Sequence, residues 1–314
     1  MKLVFMGTPD FAVPSLDRLA ACGHEIVAVV TRPDRPRGRG RKLAPPPVKT
    51  AARRLGIPVM QPHSLGAADF LDRLRRFDAE LFVVVAFVIL PRVVLKIPKF
   101  GSVNLHPSLL PKYRGAAPIN WAIIRGETET GISVFRLTTR VDAGDLLFQQ
   151  VVGIGQDETA GELSDRLRTM GANALTAVVD GLERDELTSK PQPDKGVTRA
   201  PRLEKEDGRI DWTCCAASIR NLVRGTNPFP GAFTTWRGEY LKVHRAEAAH
   251  GAGLPGEVIV ADGRKGCVIA AGEGTLAIEE VQPAGKGRMS GAELVRGYRL
   301  EAGEIFGDAA RNSE

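Results

Sequence analysis

The densest set of residues able to do chemistry is the run NLHPSLLP at 104–111. Asn104 and His106 are two positions apart, so on an extended chain both point to the same side. Asn offers an amide donor, and His can supply a proton or a positive charge near neutral pH. A second element, RVDAGD at 140–145, places Asp142 in a glycine-bearing turn before a strand. An Asp that reaches His106 would favour the charged ring and fix its tautomer. Together the three could run an acyl transfer to an amine. The amide and imidazolium would hold the oxyanion, and the carboxylate would help remove a proton from the attacking nitrogen. No activated Ser or Cys is needed. On residue types alone a structural reading stays open. A His after a strand is more often a satisfied core residue than a catalyst, and Asp in a glycine turn is common. His24, His63, His244 and His250 have no such polar setting and read as structural or surface residues.

The elements that must position these residues alternate. Residues 2–6, 25–30, 80–86, 102–105, 131–137 and 145–152 read as strands, and Val59 begins a short extended piece. Residues 11–22, 48–55, 70–77, 118–124 and 160–182 read as helices, with Asp10 a candidate helix cap. The 80–86 run has no alternation, as in a strand buried on both faces. This order predicts an α/β domain built on a Rossmann-like, mostly parallel sheet, with chemistry at the strand-to-loop junctions. The first turn, Gly7 to Asp10, is not a dinucleotide fingerprint. It has one glycine, and Pro9 removes an amide donor. Beyond a proline-rich stretch, short extended runs broken by glycine predict a small C-terminal β-barrel, OB-like in type. The expected divisions are a catalytic domain at 1–189, a linker at 190–204 and the β-barrel at 205–314.

Composition narrows the classes. At 314 residues, 43% apolar and 25% charged, the chain suits a globular enzyme of two domains. The longest apolar run, 81–90, falls well below the ~20 residues of a membrane span. The N-terminus lacks the pattern of a signal peptide. A cytoplasmic protein with no membrane partner is the expectation. Cys22, Cys214, Cys215 and Cys267 show no metal-ligand spacing, so no metal is expected. The net charge of +6 is concentrated. Residues 32–49 hold seven cations (Arg32, Arg35, Arg37, Arg39, Arg41, Lys42, Lys49) against Asp34, which is 7 − 1 = +6, the whole excess. From Lys205 on there are 14 basic and 15 acidic residues, near neutral. A basic segment of that density meets phosphate or keeps a loop solvated.

The run at 104–111, followed by Tyr113, Arg114 and Gly115, resembles the signature of the folate-dependent formyltransferases. The resemblance implies a formyl group moved from 10-formyltetrahydrofolate to an amine. It implies that Asn104 and His106 bind the formyl oxygen, and that Asp142 orients His106 and relays protons. Ser108, Leu109, Leu110 and Pro111 would line the folate, with Phe87, Val88, Ile89 and Leu90 near the pteridine. In that second stretch the family carries a Tyr-Gly-containing segment before Ile-Leu-Pro; here 86–91 reads AFVILP, shorter and without the glycine. Nearly the whole chain is similar to the branch that acts on the amino group of methionine carried by initiator tRNA. FMGTPDF at 5–11, the basic loop at 31–42, DGRIDW at 207–212, NLVRGTNPFPG at 221–231 and QPAGKGRM at 282–289 carry that similarity. It implies initiator methionyl-tRNA and formyl-folate as partners of a monomer, with Arg35, Arg37, Arg39, Arg41 and Lys42 on the RNA. The alternatives are a formyltransferase acting on a small amine, a formyl-folate hydrolase, and a non-catalytic RNA-binding protein.

Overall fold

The computed structural model describes residues 1–37 and 42–307. The chain divides into two compact units. The first comprises Met1–Pro118, Glu129–Gly153 and Ser164–Pro201. The second comprises Ile119–Thr128, Ile154–Leu163 and the residues from Arg202 on. Among the described residues no helix is long and apolar enough to cross a membrane.

The first half of unit one runs β1 (Lys2–Gly7), α1 (Val13–Ala21), β2 (Glu25–Val30), β3 (Arg35–Arg37), β4 (Lys42–Ala44), α2 (Pro47–Arg54), β5 (Val59–Met60), α3 (Ala68–Arg76), β6 (Leu81–Val85) and α4 (Arg92–Leu95). The second half runs β7 (Ser102–His106), β8 (Arg114–Gly115), then, after α5 (Pro118–Ile124), β9 (Glu129–Arg136), β10 (Leu146–Gly153), α6 (Ala160–Glu183) and β11 (Arg199–Ala200). Seven strands form one sheet in the order β10-β9-β7-β6-β1-β2-β5. The neighbours from β7 to β5 pair in parallel, and β9 and β10 are antiparallel additions on one edge. The Rossmann-like expectation is met. Every residue of β6 is buried, which explains its unbroken apolar run. Parallel partners share a face. Val84 on β6, opposite Asn104, packs with Val4, Met6, Phe70 and Leu74 in an apolar layer under α3. The alternate residue Leu105 faces α6, where Gly171 approaches so closely that a Cβ would stand 2.7 Å from the leucine. Alternation along β7 thus puts Leu105 on one face and Asn104 and His106 on the other.

Two local expectations change. Asp10 caps no helix. It opens a 3-10 turn, Asp10–Ala12, and α1 starts later with Pro14 in its first turn. The stretch expected as a linker, 190–204, belongs to unit one as far as Pro201. Lys190 exchanges backbone bonds with Leu146, and β11 pairs in parallel with β8. The prolines and glycine that mark this stretch as loop say nothing about the edge it lies on.

Unit two is the antiparallel β domain expected from the glycine-broken runs. After α7 (Ala216–Gly225) come β12 (Ala232–Trp236), β13 (Glu239–Ala249), β14 (Val258–Asp262), β15 (Gly266–Ala270), β16 (Thr275–Pro283), β17 (Met289–Ser290) and α8 (Gly291–Tyr298). The order is β12-β13-β16-β15-β14, with β17 on β16. The two ends of this sheet are joined by the segment that follows α8. Phe306 N–H donates to Gly256 and Gly307 N–H to Thr235, and single bridges link Ile305 to Glu257 and Phe306 to Trp236. A closed sheet has no free edge to aggregate through. Trp212, Trp236 and Phe306 fill its core, with the phenylalanine centroid 6.0 and 5.9 Å from the two indoles.

Candidate active site

His106 ends β7 and is 4% exposed. Its Nε2 lies 2.9 Å from the Tyr113 carbonyl oxygen. A carbonyl only accepts, so Nε2 carries a hydrogen and donates it. Nδ1 stands 3.8 Å from Asp142 Oδ2. That is ion-pair distance and too long for a hydrogen bond. The ring is therefore oriented by the Tyr113 carbonyl rather than by Asp142, a partner that motif reading could not supply because it is backbone. Asp142 itself is fixed by the Gly115 N–H, which donates to Oδ2 at 2.8 Å. Asn104, two residues back on β7, is half-buried, and its side chain makes no hydrogen bond among the described residues. His106 and Asp142 come together and Asn104 shares the His106 face of β7; among the described residues neither the Asn104 amide nor His106 Nδ1 has a hydrogen-bond partner.

The run after His106 is a braced turn. Ser133 Oγ on β9 donates to the Ser108 carbonyl at 2.7 Å and accepts from the Leu110 N–H at 3.2 Å. Gln149 on β10 donates to the Leu110 carbonyl, and Ser108 Oγ donates to the Lys112 carbonyl. Ser108 and Leu110 are buried, so their side chains shape the turn and offer no surface to a ligand. Leu109 and Pro111 keep part of theirs accessible.

Across the parallel register, β6 ends beside β7 and hands over to the segment 86–91. Leu90 is buried in the layer under α3, and Phe87 packs partly against it. Val88 is half-exposed and Ile89 is 71% exposed, a large apolar side chain on open surface at the strand ends. Ala86 takes φ +47°. The left-handed region favours glycine, and this segment has none, so an alanine carries the turn. Of the seven non-glycine residues with positive φ among those described, three are Ala86, Tyr113 and Asp142. Such conformations persist where surroundings over-determine them, and they cluster at working sites.

Arg114 lies beside the carboxylate. Burial and the Arg140 cation bring its guanidinium below the ordinary value, while Asp142 and Asp194 pull it back. Its Nε and Nη2 donate to Gln192 Oε1 at 3.2 and 2.6 Å. Neither Arg114 nor Gln192 was singled out from the sequence for this position. Among the described residues no cluster of three or more His, Cys, Asp or Glu could hold a metal ion. His24 and His244 are buried and bonded to Asp180 and Gln282, while His63 and His250 are exposed.

The basic segment is partly structured. Arg35–Arg37 pairs antiparallel with Lys42–Ala44, apart from the main sheet. Arg35 is exposed. Arg39 and Arg41 lie outside the described residues, as do the side chains of Arg37 and Lys42. The base of the segment is anchored, since Thr31 is buried and Lys49 Nζ donates to both Asp34 oxygens at 2.7 Å. Hydrogen bonds from Gln61 and from Lys49 hold the Asp34 carboxyl below the usual range. Lys49 is thus occupied within the chain.

Residues 1–179 match the formyl transferase family and residues 202–299 its C-terminal domain. The methionyl-tRNA formyltransferase of Geobacter metallireducens is 48% identical over 308 residues, covering 98% of this chain and 99% of the relative. That of Moorella thermoacetica is 47% identical over 310 residues, covering 98% and 99%. Among solved structures, WlaRD, a sugar 3N-formyl transferase seen with dTDP and 5-N-formyl-THF, superposes with a TM-score of 0.66 at 17% identity. It covers 91% of this chain and 99% of its own. HypX from Aquifex aeolicus in complex with tetrahydrofolic acid superposes at 0.66 and 16% identity, covering 97% of this chain and 48% of HypX. At those identities the structures establish the shared fold. The sequence matches go further: the chain belongs to the methionyl-tRNA formyltransferase family, with the formyl transferase module followed by its C-terminal domain.

Proposed function

We propose that the chain transfers a formyl group from 10-formyltetrahydrofolate to the α-amino group of methionine on initiator tRNA. The observation that carries this reading is the approach of His106 to Asp142 with Asn104 on the same face of β7, two polar groups being without hydrogen-bond partners among the described residues. The formyl donor is a co-substrate that supplies an activated carbonyl carbon. The Asn104 amide and the Nδ1–H of a protonated His106 donate to the formyl oxygen as negative charge gathers there. Asp142, 3.8 Å from Nδ1, balances the imidazolium and accepts the proton that the attacking amine sheds. The new bond joins the methionine nitrogen to the carbonyl carbon. The bond from that carbon to the folate nitrogen breaks, and the shed proton ends on the folate. The accessible residues Phe87, Val88 and Ile89 supply the apolar wall for the folate ring, with Leu109 and Pro111 on the facing turn. Leu90, Ser108 and Leu110 support these surfaces from below.

The tRNA partner is assigned to the cations of the basic loop and to the C-terminal β domain. Arg35, Arg37, Arg39, Arg41 and Lys42 contact acceptor-stem phosphates, while the near-neutral residues from Lys205 on dock to RNA by shape. The working state is a monomer in the cytoplasm. The test is a single-turnover assay with 10-formyltetrahydrofolate and three acceptors: methionine-charged initiator tRNA, an amino-sugar nucleotide, and buffer alone. Formyl-methionyl-tRNA as the fast product is the expected result. Faster formylation of the sugar amine, or donor hydrolysis at one rate with every acceptor, would replace this reading by a small-amine transferase or a hydrolase.

A further inference from the structure

We propose that Gln192 is a positioning residue for Asp142, and that residues 190–200 form a strap holding both halves of the His106–Asp142 pair. The proposal rests on the catalytic reading of that pair. Gln192 Nε2 donates to the Asp142 carbonyl at 3.0 Å and to the Gly144 carbonyl at 2.7 Å. Its Oε1 accepts twice from Arg114. Both N–H groups and the oxygen of the amide are used, which is its full donor count. Asp142 sits at φ +47°, a conformation that a non-glycine residue holds only when its surroundings fix it. The two carbonyls gripped by Gln192 are those of this turn. On the turn's far side, a Cβ on Gly144 would stand 1.7 Å from the Arg136 carbonyl oxygen. The turn is therefore clamped between Gln192 and β9.

The same strap reaches the histidine. Thr198 Oγ1 accepts from the Tyr113 N–H at 2.8 Å, and the Thr198 carbonyl accepts from the Arg114 N–H at 3.0 Å. The Tyr113 carbonyl orients the His106 ring, and the Gly115 N–H holds the Asp142 carboxylate. One stretch of chain thus fixes the carbonyl that aims the imidazole and the turn that carries the carboxylate. Pro191 and Pro193 flank Gln192 and have no N–H of their own, and the two bonds to the turn come from the Gln192 side chain.

The test uses the full-length protein in two variants. Gln192→Glu keeps the volume and the acceptors for Arg114 but removes both donors to the turn. Gln192→Leu removes every bond. Both should lower kcat for formylation by between about tenfold and about a hundredfold, the scale of a small misplacement at a reacting centre. The KM values for formyl donor and charged tRNA should stay close to wild type. Full activity in Gln192→Glu would overturn the proposal, since the donors would then be dispensable. A rise in KM at unchanged kcat would overturn it as well, making Gln192 a binding residue. If Gln192→Leu fails to fold, Gln192→Glu decides alone. A wild-type enzyme that does not formylate charged tRNA would instead refute the function on which the proposal stands, a separate outcome read in the same assay.

Discussion

At the scale of single residues, the candidate site separates polar groups with no partner among the described residues from groups hydrogen-bonded within the chain. His106 has one nitrogen in each class: Nε2 is tied to Tyr113, and Nδ1, proposed to donate to the formyl oxygen, makes no hydrogen bond among the described residues. His106→Ala should therefore lower kcat by about 10²–10³, the typical effect of removing one oxyanion donor. Formyl-donor binding, measured by titration without tRNA, should change far less, because Phe87, Val88 and Ile89 are untouched. A comparable loss in both quantities would place His106 in ground-state binding instead. Gly144 shows the same logic in the backbone. Gly144→Ala cannot be accommodated 1.7 Å from the Arg136 carbonyl without moving the turn. It should lower kcat while Asn104, His106 and Asp142 all remain present. Activity equal to wild type would mean that the turn shifts without displacing the Asp142 carboxylate. Asn104, His106 and Asp142 stood out as candidates by type and spacing, and the family resemblance supplied the roles proposed for them. The Tyr113 carbonyl and Gln192 did not, since one is backbone and the other lies 50 residues from the turn it grips.

At the scale of elements, the parallel sheet was readable because its strands follow simple rules. Residues 25–30 form β2 with the expected bounds, and the all-apolar run at 81–85 is the fully buried β6. The misses have physical causes. The helix α8 carries its own signal: Ser290 accepts from the Glu293 N–H, and the Glu293 carboxylate accepts from the Ser290 N–H, a reciprocal cap. Its eight residues include two glycines, which hid the helical period. Ser290→Ala should cost about 1 kcal/mol of stability in denaturant unfolding, and a change below a few tenths would show the cap to be redundant. The closing segment at 304–307 was unreadable because it pairs as single bridges rather than as a strand. Its anchor is Phe306, 1% exposed between two indoles. Phe306→Ala should destabilise the C-terminal unit by about 3–5 kcal/mol, the range for truncating a buried aromatic. Trp212 and Trp236 report on that core, so tryptophan fluorescence in denaturant reads the loss directly. A midpoint within error of wild type would mean that the sheet holds without its closing segment.

At the scale of the whole molecule, charge is distributed unevenly in a way that predicts how RNA binding depends on salt. The excess of +6 equals the net charge of residues 32–49. Within that segment Lys49 is bonded to Asp34 by two 2.7 Å contacts, so these two charges cancel inside the protein. Six cations remain: Arg32, Arg35, Arg37, Arg39, Arg41 and Lys42. Arg32 and Arg35 stand exposed, and the β3–β4 pairing carries the backbone of Arg37 and Lys42 away from the main sheet. Phosphate contacts release condensed counterions, so affinity falls with salt in proportion to the number of cations engaged. If about four of the six reach phosphate, the slope of log affinity against log salt is about −3, at roughly −0.7 to −0.9 per contact. Neutralising Arg39, Arg41 and Lys42 together should flatten the slope by about 2 to 3 and raise KM for charged tRNA, with formyl-donor binding unchanged. Lys49→Met is the control. It removes a cation of the same segment by sequence, but one already paired to Asp34, so it should leave the slope alone. A loop that serves only solubility predicts the wild-type slope in the triple variant, and that result would remove the basic segment from the RNA interface.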